Sequence, residues 1–171
     1  DLIIDFCIRQ GSQAMKSSHI YATDYDSVLV PSTQMGDIKK VVCKKHVTNH
    51  WFLVTFILPK GDNDSGTIEI RDSLNNTEQS KPPLLLIKTL KTAGAKVASA
   101  CGISRQTKWE APVRKLQIRQ PNGVDCGTLT INAAICELTG NQISAGLQDE
   151  ISICRSLRLK YMSWAYKLIL G

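Results

Sequence analysis

The stretch Gln120–Gly127 reads QPNGVDCG and runs into the apolar segment Cys126–Thr139. Its Pro-Asn-Gly sequence is typical of a turn. The segment that follows is apolar on nearly every side and stops before Gly140, which predicts a buried central helix. Cys126 therefore lies at the entry of a buried helix, directly after a turn, and the rest of the fold is expected to assemble around that helix.

This position favours a reactive thiol at Cys126. A helix N-terminus stabilises negative charge and so favours the nucleophilic thiolate. Gly127 has no side chain beside the sulfur, which leaves room for a substrate backbone. Gln120 and the free backbone N–H groups of the helix start can bind a developing oxyanion. A cysteine taken alone is more often a buried structural thiol, but this setting predicts a nucleophile instead.

Two strands are predicted upstream of this helix, and they form a hairpin. His50–Leu58 (HWFLVTFIL) is rich in aromatic and β-branched residues, and Thr67–Leu74 (TIEIRDSL) alternates between apolar and polar side chains. The intervening residues 61–66 have strong turn composition. Because the start of one strand lies beside the end of the next in a hairpin, His50 and Asp72 are expected to be neighbours.

His50 and Asp72 are the residue types that a cysteine nucleophile needs. A thiol requires a base that takes its proton, and a carboxylate orients that base. Each residue has a plainer interpretation: His50 as a histidine satisfied within its strand, and Asp72 as a turn residue at a strand end. Gln120 can likewise be read as a polar residue on the wet face of a strand. The catalytic interpretation depends on the three segments acting together.

The remaining pattern completes an α+β prediction. Helical spacing or strand alternation is found in five further segments: a helix from Leu2 to Cys7, a strand over Ser27–Pro31, a helix opened by Pro83 and closed by Gly94, a third strand over Val113–Gln120, and a terminal helix from Ile151 to Leu168. We predict a single domain over residues 1–171, with a small and mostly antiparallel sheet around the buried helix.

Composition narrows the class of protein. The chain has 171 residues, of which 43% are hydrophobic and 21% charged, as in globular domains. Six cysteines without a CxxC pair predict reduced thiols, and therefore an intracellular protein of the cytoplasm or nucleus. The formal charge of +6 favours an acidic partner. The basic residues are scattered and lack interleaved aromatics, so nucleic acid is not expected as a partner. No apolar run reaches the length of a membrane span, so a membrane is not expected either.

A metal site is not predicted either. Cys43, His46 and His50 have the spacing of half a zinc site, C-x2-H-x3-H. However, no second cysteine pair stands at ligand spacing, and strand alternation would place Cys43 and His46 on opposite faces. We expect no cofactor.

The motifs together resemble one family. His50-Trp51, Asp72-Ser73-Leu74 and the segment Gln120–Gly127 are similar to the ubiquitin-like proteases, which include SUMO proteases and their deneddylating and deubiquitinating relatives. The chain order His, Asp, Gln, Cys is that of the family. The resemblance implies a papain-like cysteine protease architecture and no cofactor. It also implies a thiol isopeptidase that cleaves after the C-terminal Gly-Gly of SUMO, ubiquitin or Nedd8, through a thioester.

The resemblance also implies roles. His50 would be the base, Asp72 would orient it, Cys126 would attack, and Gln120 would line the oxyanion hole. Trp51 would line a narrow tunnel that admits only a Gly-Gly tail. The partner would be a ubiquitin-like modifier and its conjugates, with SUMO slightly favoured by the charge, and we expect a monomer.

Two alternatives from other classes remain open. Related folds use a His, acid and Cys trio for acyl transfer, although the QPNGVDCG context favours proteolysis. A catalytically idle module could bind a modifier without cutting it, although the intact set of four predicted catalytic residues argues against idleness. An activity-based modifier probe and an acyl-CoA assay separate the three.

Overall fold

Five strands form one sheet, and they lie side by side in chain order. The structure, a computed structural model, describes residues 20–24, 38–61, 64–74, 81–104, 106–141 and 149–170. The strands are β1 (Ile20–Asp24), β2 (Lys40–Val47), β3 (His50–Ile57), β4 (Thr67–Arg71) and β5 (Val113–Arg114). β2, β3 and β4 pair antiparallel, whereas the edge strands β1 and β5 join parallel to their neighbours. The predicted hairpin is thus the centre of the sheet.

A tight turn connects β2 to β3. Only Thr48 and Asn49 lie between the strands, and their φ angles are 46° and 61°. Positive φ at both central residues is characteristic of the type I′ turn, whose twist matches that of the flanking strands. The turn ends immediately before His50, so the backbone of that residue is held by the hairpin.

Helix α1 (Leu84–Ala100) covers one face of the sheet. The sequence predicted an end at Gly94, and this is wrong because Gly94 serves packing within the helix. The Trp109 indole lies against it, and a Cβ at Gly94 would stand 2.7 Å from a ring atom. A Cβ at Gly66 would stand 2.6 Å from the same indole. The two glycines therefore form the walls of a slot that holds Trp109 in the core.

Helix α2 (Cys126–Thr139) covers the opposite face and begins and ends as predicted. Its C-terminal neighbour Gly140 has a φ of 72°, the left-handed conformation that commonly ends helices. Helix α3 (Glu150–Leu170) packs on the outside of α2, with Tyr161 in the core between them. Because α2 lies between the sheet and α3, it is apolar on more than one side.

The third predicted strand is much shorter than expected. Only Val113 and Arg114 pair with β4, and residues 115–120 continue as irregular chain. The alternation in this segment has another cause: Gln117 and Gln120 are buried and hydrogen-bonded beside apolar residues. The predicted helix near Leu2 and the strand over Ser27–Pro31 lie outside the described residues. Within the described residues, no helix is long and apolar enough to cross a membrane.

Candidate active site

His50 and Asp72 meet at one end of the sheet. His50 begins β3, and Asp72 directly follows β4. His50 Nε2 lies 2.7 Å from Asp72 Oδ1. Since an ionised carboxylate only accepts hydrogen bonds, Nε2 carries the proton and donates it. Nδ1, on the other side of the ring, is then the basic nitrogen. The antiparallel register Leu53↔Arg71 explains the meeting, because it brings the start of β3 beside the exit of β4.

Asp72 is buried and accepts from two further donors. The backbone N–H of Leu74 donates to Oδ1 at 3.0 Å, which folds the chain back on the carboxylate. Arg114 Nη1 donates to Oδ2 at 3.3 Å. These donors orient the carboxylate, and together they fix the edge that Asp72 presents to His50.

Ser73 links this pair to the segment before the cysteine. The Gln120 backbone N–H donates to the Ser73 carbonyl at 2.9 Å, and Ser73 Oγ donates to Gln120 Oε1 at 3.0 Å. The Gln120 side-chain amide also donates to the Asn122 carbonyl oxygen. These contacts identify Oε1 of Gln120 as the acceptor and Nε2 as the donor. One N–H of Nε2 donates to Asn122, and the second N–H can donate to another acceptor.

Asp125 holds the loop in front of the helix. It is 0% exposed, and Asn122 Nδ2 donates to its Oδ2 at 2.7 Å. Asn122 Oδ1 in turn accepts from the backbone N–H groups of Val124 at 2.9 Å and Asp125 at 3.1 Å. From α3, Arg158 Nε lies 2.9 Å from Asp125 Oδ1, an ion pair that lacks hydrogen-bond alignment. The loop is thereby locked to itself and to the terminal helix.

Cys126 is the first residue of α2 and is 5% exposed. It follows the locked loop, so the contacts of Asn122 and Asp125 set the position of its backbone. Gly127 is partly buried next to it. His50 is hydrogen-bonded to Asp72, and Ser73, the next residue of the chain, is hydrogen-bonded to Gln120 at the start of the loop that ends at Cys126.

Three other cysteines have environments that disfavour a thiolate. Burial raises the pKa of the Cys101 thiol to about 11. Burial, and after it the charge of the nearby Asp125 carboxylate, raises the pKa of Cys154 to about 11. Burial also raises the pKa of Cys136. These surroundings are those of structural thiols.

Trp51 lies on the face of the sheet that α2 covers. Its indole packs against the apolar cluster between β3, α2 and α3. The His46 ring is stacked at a tilt with a centroid distance of 4.4 Å, and Lys44 Nζ lies 5.0 Å from the centroid of the indole. The side chain is only partly buried, so one part packs in the core while another part is open to solvent.

Cys43 and His46 lie on opposite faces of β2, as strand alternation predicted. Cys43 belongs to the core under α1, whereas His46 contacts Trp51 on the other face. Among the described residues, no group of three or more His, Cys, Asp or Glu side chains is arranged to hold a metal ion.

The structure brings His50 to Asp72 and places Gln120 against Ser73, and it adds residues that the sequence reasoning missed. Arg114, Ser73 and Arg158 each contact a predicted residue directly or hold its loop. Ser73 lies within the Asp72-Ser73-Leu74 motif, but the motif alone does not indicate its contact with Gln120. No local pattern marks Arg114 or Arg158, because their partners are distant in the chain.

No family model matches the sequence, and no curated protein matches it. Several solved structures are similar to this chain in fold. A SUMO protease Ulp1 with its catalytic cysteine oxidised to a sulfenic acid aligns with a TM-score of 0.64 and 18% identity, over 96% of this chain and 77% of that one. The C-terminal Ulp1 protease domain in complex with Smt3, the yeast ortholog of SUMO, aligns with a TM-score of 0.60 and 18% identity, over 96% and 76%.

A third similar structure is the catalytic domain of the Chaetomium thermophilum Ulp1-like SUMO protease. It aligns with a TM-score of 0.56 and 18% identity, over 93% of this chain and 66% of that one. At this level of identity the likeness is one of fold. It confirms the predicted α+β, papain-like protease architecture: the chain has the fold of the Ulp1-like SUMO proteases.

Proposed function

We propose that this protein is a thiol isopeptidase that cleaves after the C-terminal Gly-Gly of a ubiquitin-like modifier. The observation that carries the proposal is the 2.7 Å contact between His50 and Asp72, whose neighbour Ser73 is hydrogen-bonded to Gln120 at the start of the loop that precedes Cys126. A base, its orienting carboxylate and a cysteine at a helix start are the parts that covalent thiol catalysis requires. The shared fold supports the same conclusion.

The first half of the reaction forms a thioester. His50 Nδ1 takes the proton of the Cys126 thiol, and Asp72 stabilises the resulting imidazolium through Nε2. The thiolate attacks the carbonyl carbon of the terminal glycine. As the C–N bond breaks, the imidazolium gives its proton to the departing amine, and the modifier remains attached to sulfur as a thioester.

The second half releases the modifier. His50 takes a proton from water, and the hydroxide adds to the thioester carbonyl. The C–S bond then breaks, the thiol of Cys126 is restored with its proton, and the modifier leaves with a free carboxylate. In both halves, the second N–H of the Gln120 amide and the backbone N–H groups at the start of α2 stabilise the oxyanion. The Ser73 contact keeps that amide in the donating orientation.

SUMO is the modifier that we favour. The chain has a formal charge of +6, which complements an acidic docking face. The similar structures are named as SUMO proteases, and one of them is bound to Smt3. Ubiquitin and Nedd8 are the competing substrates of the same reaction class.

A panel of C-terminal fluorogenic substrates tests the proposal. SUMO, ubiquitin and Nedd8 carrying a coumarin amide are incubated with the protein, and kcat/KM is compared. We expect release of coumarin, with the highest kcat/KM on SUMO. Release from ubiquitin or Nedd8 alone would change the modifier and retain the reaction. No release from any of the three, together with acyl transfer from an acyl-CoA, would replace the protease with an acyltransferase.

Trp51 is the residue to which we assign Gly-Gly selectivity. An indole beside the catalytic histidine can form a wall too close for a side chain on the tail, so selectivity arises by steric rejection. Trp51→Ala should lower modifier cleavage and relax the preference for Gly-Gly over Gly-Ala tails. Since the indole also packs in the core, the melting temperature is measured alongside. A lower melting temperature with an unchanged tail preference would make Trp51 a packing residue only.

A further inference from the structure

Arg114 is a buried cation behind the predicted catalytic pair. Its side chain is 6% exposed, and Nη1 lies 3.3 Å from Asp72 Oδ2. His50 occupies the other oxygen, Oδ1. The three side chains therefore form a line in which the carboxylate lies between an arginine and a histidine.

The position of Arg114 follows from the sheet. β5 pairs with β4 in parallel, and Arg114 is in register with Ile70. Neighbouring residues in register point to the same face, and Asp72 follows Ile70 by two positions. Lys115, the next residue, faces the other way, where its Nζ lies 3.3 Å from Glu69 Oε1. At the end of β5, Arg114 therefore faces the site, whereas Lys115, the residue after the strand, faces away from it.

Burial of an arginine has a free-energy cost that its partners must offset. A hydrophobic residue at this place would fill the same space without that cost, so stability alone is a weak reason for a cation here. A charge against Asp72 does something an apolar residue cannot: it favours the ionised carboxylate and fixes its orientation. An ionised and oriented Asp72 is what holds the His50 tautomer with Nδ1 basic.

We infer that Arg114 is a positioning residue for catalysis, which acts on His50 through Asp72. The inference rests on the proposed function for its consequence, since it assigns Arg114 a part in the same reaction. Arg114 is buried and does not belong to the predicted substrate-binding residues, so its removal should lower kcat and leave KM unchanged.

The test uses Arg114→Met, Arg114→Lys and Asp72→Asn, with Lys115→Met as the matched control. For Arg114→Met we expect kcat to fall by about 10- to 100-fold, the size of loss found when the outer hydrogen-bond partner of a metal-binding side chain is removed. Arg114→Lys restores the charge without the planar fork and should recover most of the loss, to within about two- to fivefold of the wild type. Lys115→Met should leave kcat unchanged.

A double-mutant cycle shows whether Arg114 acts through Asp72. In the Asp72→Asn background, Arg114→Met should cost less than about twofold, because the carboxylate through which it acts is gone. An equal loss in both backgrounds would overturn the inference, as would an Arg114→Met variant with wild-type kcat. If Arg114→Met does not fold, the same cycle is run with Arg114→Gln, which keeps a polar side chain but removes the charge; wild-type kcat for Arg114→Gln in the Asp72 background would overturn the inference.

A second readout separates this inference from the proposed function. The rate of Cys126 alkylation by iodoacetamide, followed by peptide mapping, reports the activation of the thiol without any modifier. We expect Arg114→Met to slow it as it slows kcat. Slower alkylation in a protein that cleaves no modifier would support the role of Arg114 and reject the isopeptidase. If Arg114→Met leaves both modifier cleavage and alkylation unchanged, the isopeptidase is supported and the role of Arg114 is rejected.

Discussion

The two ends of helix α2 each hold a buried acidic side chain, and they differ in what that side chain ties together. At the N-terminal end, Asp125 contacts Asn122 of its own loop and Arg158 of α3. Near the C-terminal end, Glu137 accepts from Lys40 Nζ at 2.8 Å and from Arg71 Nη2 at 2.7 Å, which belong to two strands of the sheet.

This difference indicates that the N-terminal end of α2 serves catalysis, whereas the C-terminal end serves the stability of the fold. The contacts at the N-terminal end are local to the loop and the outer helix, and they set the position of Cys126. Those at the C-terminal end fasten the helix to β2 and β4, far along the helix from the cysteine. We therefore expect changes at the N-terminal end to alter catalysis more than folding, and changes at the C-terminal end to do the opposite.

The largest effect is expected for Cys126→Ala, which should abolish cleavage of every modifier substrate. No thioester can form without the sulfur, and no other group of the site can replace it. The melting temperature should change little, since one sulfur atom at the start of a helix is lost. If Cys126→Ala still cleaved the substrates, the nucleophile would be another residue, and the N-terminal end of α2 would not be the catalytic end.

The base should matter next. His50→Ala should lower kcat by about two to four orders of magnitude, the range for loss of a general base. Asp72→Asn should cost less, since an imidazole remains to exchange the proton. The measurement is kcat for both variants at saturating substrate. An Asp72→Asn variant that is slower than His50→Ala would contradict the assigned order of roles.

At the other end of the helix, Glu137→Gln should reduce stability and leave kcat unchanged. The change leaves Lys40 and Arg71 without the carboxylate between them, which should cost about 2 kcal/mol given that both cations reach solvent in part. Urea unfolding gives the free energy, and the fluorogenic assay gives kcat. A large loss of kcat with little loss of stability would show that the two ends are not separable.

The same carboxylate predicts a pH dependence. Burial alone would raise the pKa of Glu137, but hydrogen bonds from Lys40 and Arg71, together with their charges, outweigh it and lower the pKa. The folded state then binds this proton less readily than the unfolded chain. The stabilisation is therefore present above the ordinary glutamate value of about 4.3 and is lost as the pH falls through the lowered value. The stability gap between wild type and Glu137→Gln should shrink in that range.

The smallest effect is expected for Cys136→Ala, one residue before Glu137. Burial raises the pKa of this thiol, so it has little thiolate at neutral pH, and its loss should remove packing only. We expect kcat within about twofold of the wild type and a stability change of about 1 kcal/mol. If Cys136→Ala abolished cleavage, catalysis would depend on the C-terminal end of α2 and not on its N-terminal end.

Some of this site could be predicted from local sequence, and the reason is geometric. The meeting of His50 and Asp72 follows from hairpin pairing, which turns a position in sequence into a position in space. The start of α2 at Cys126 follows from turn residues before an apolar run. The end of α1 could not be predicted in this way, because Gly94 lies within the helix to accommodate Trp109 rather than to stop it.

The residues that support the site could not be predicted from local sequence patterns. Arg114 lies in a segment whose alternation predicted a long strand, yet only its first two residues pair with β4. The burial of Gln120 depends on Ser73, which belongs to another element. Glu137 is the one charged residue of helix α2, and its partner Lys40 is 97 positions away. Such contacts depend on the assembled sheet and leave no periodic signal in either segment.

Covalent capture tests the central claim most directly. SUMO with a C-terminal propargylamide is incubated with the wild-type protein, and the adduct is located by intact mass and peptide mapping. We predict a single adduct, on Cys126, which is absent in Cys126→Ala and much slower to form in His50→Ala. Ubiquitin and Nedd8 probes run in parallel rank the modifiers. An adduct on any other cysteine, or no adduct with any of the three probes, would contradict the account.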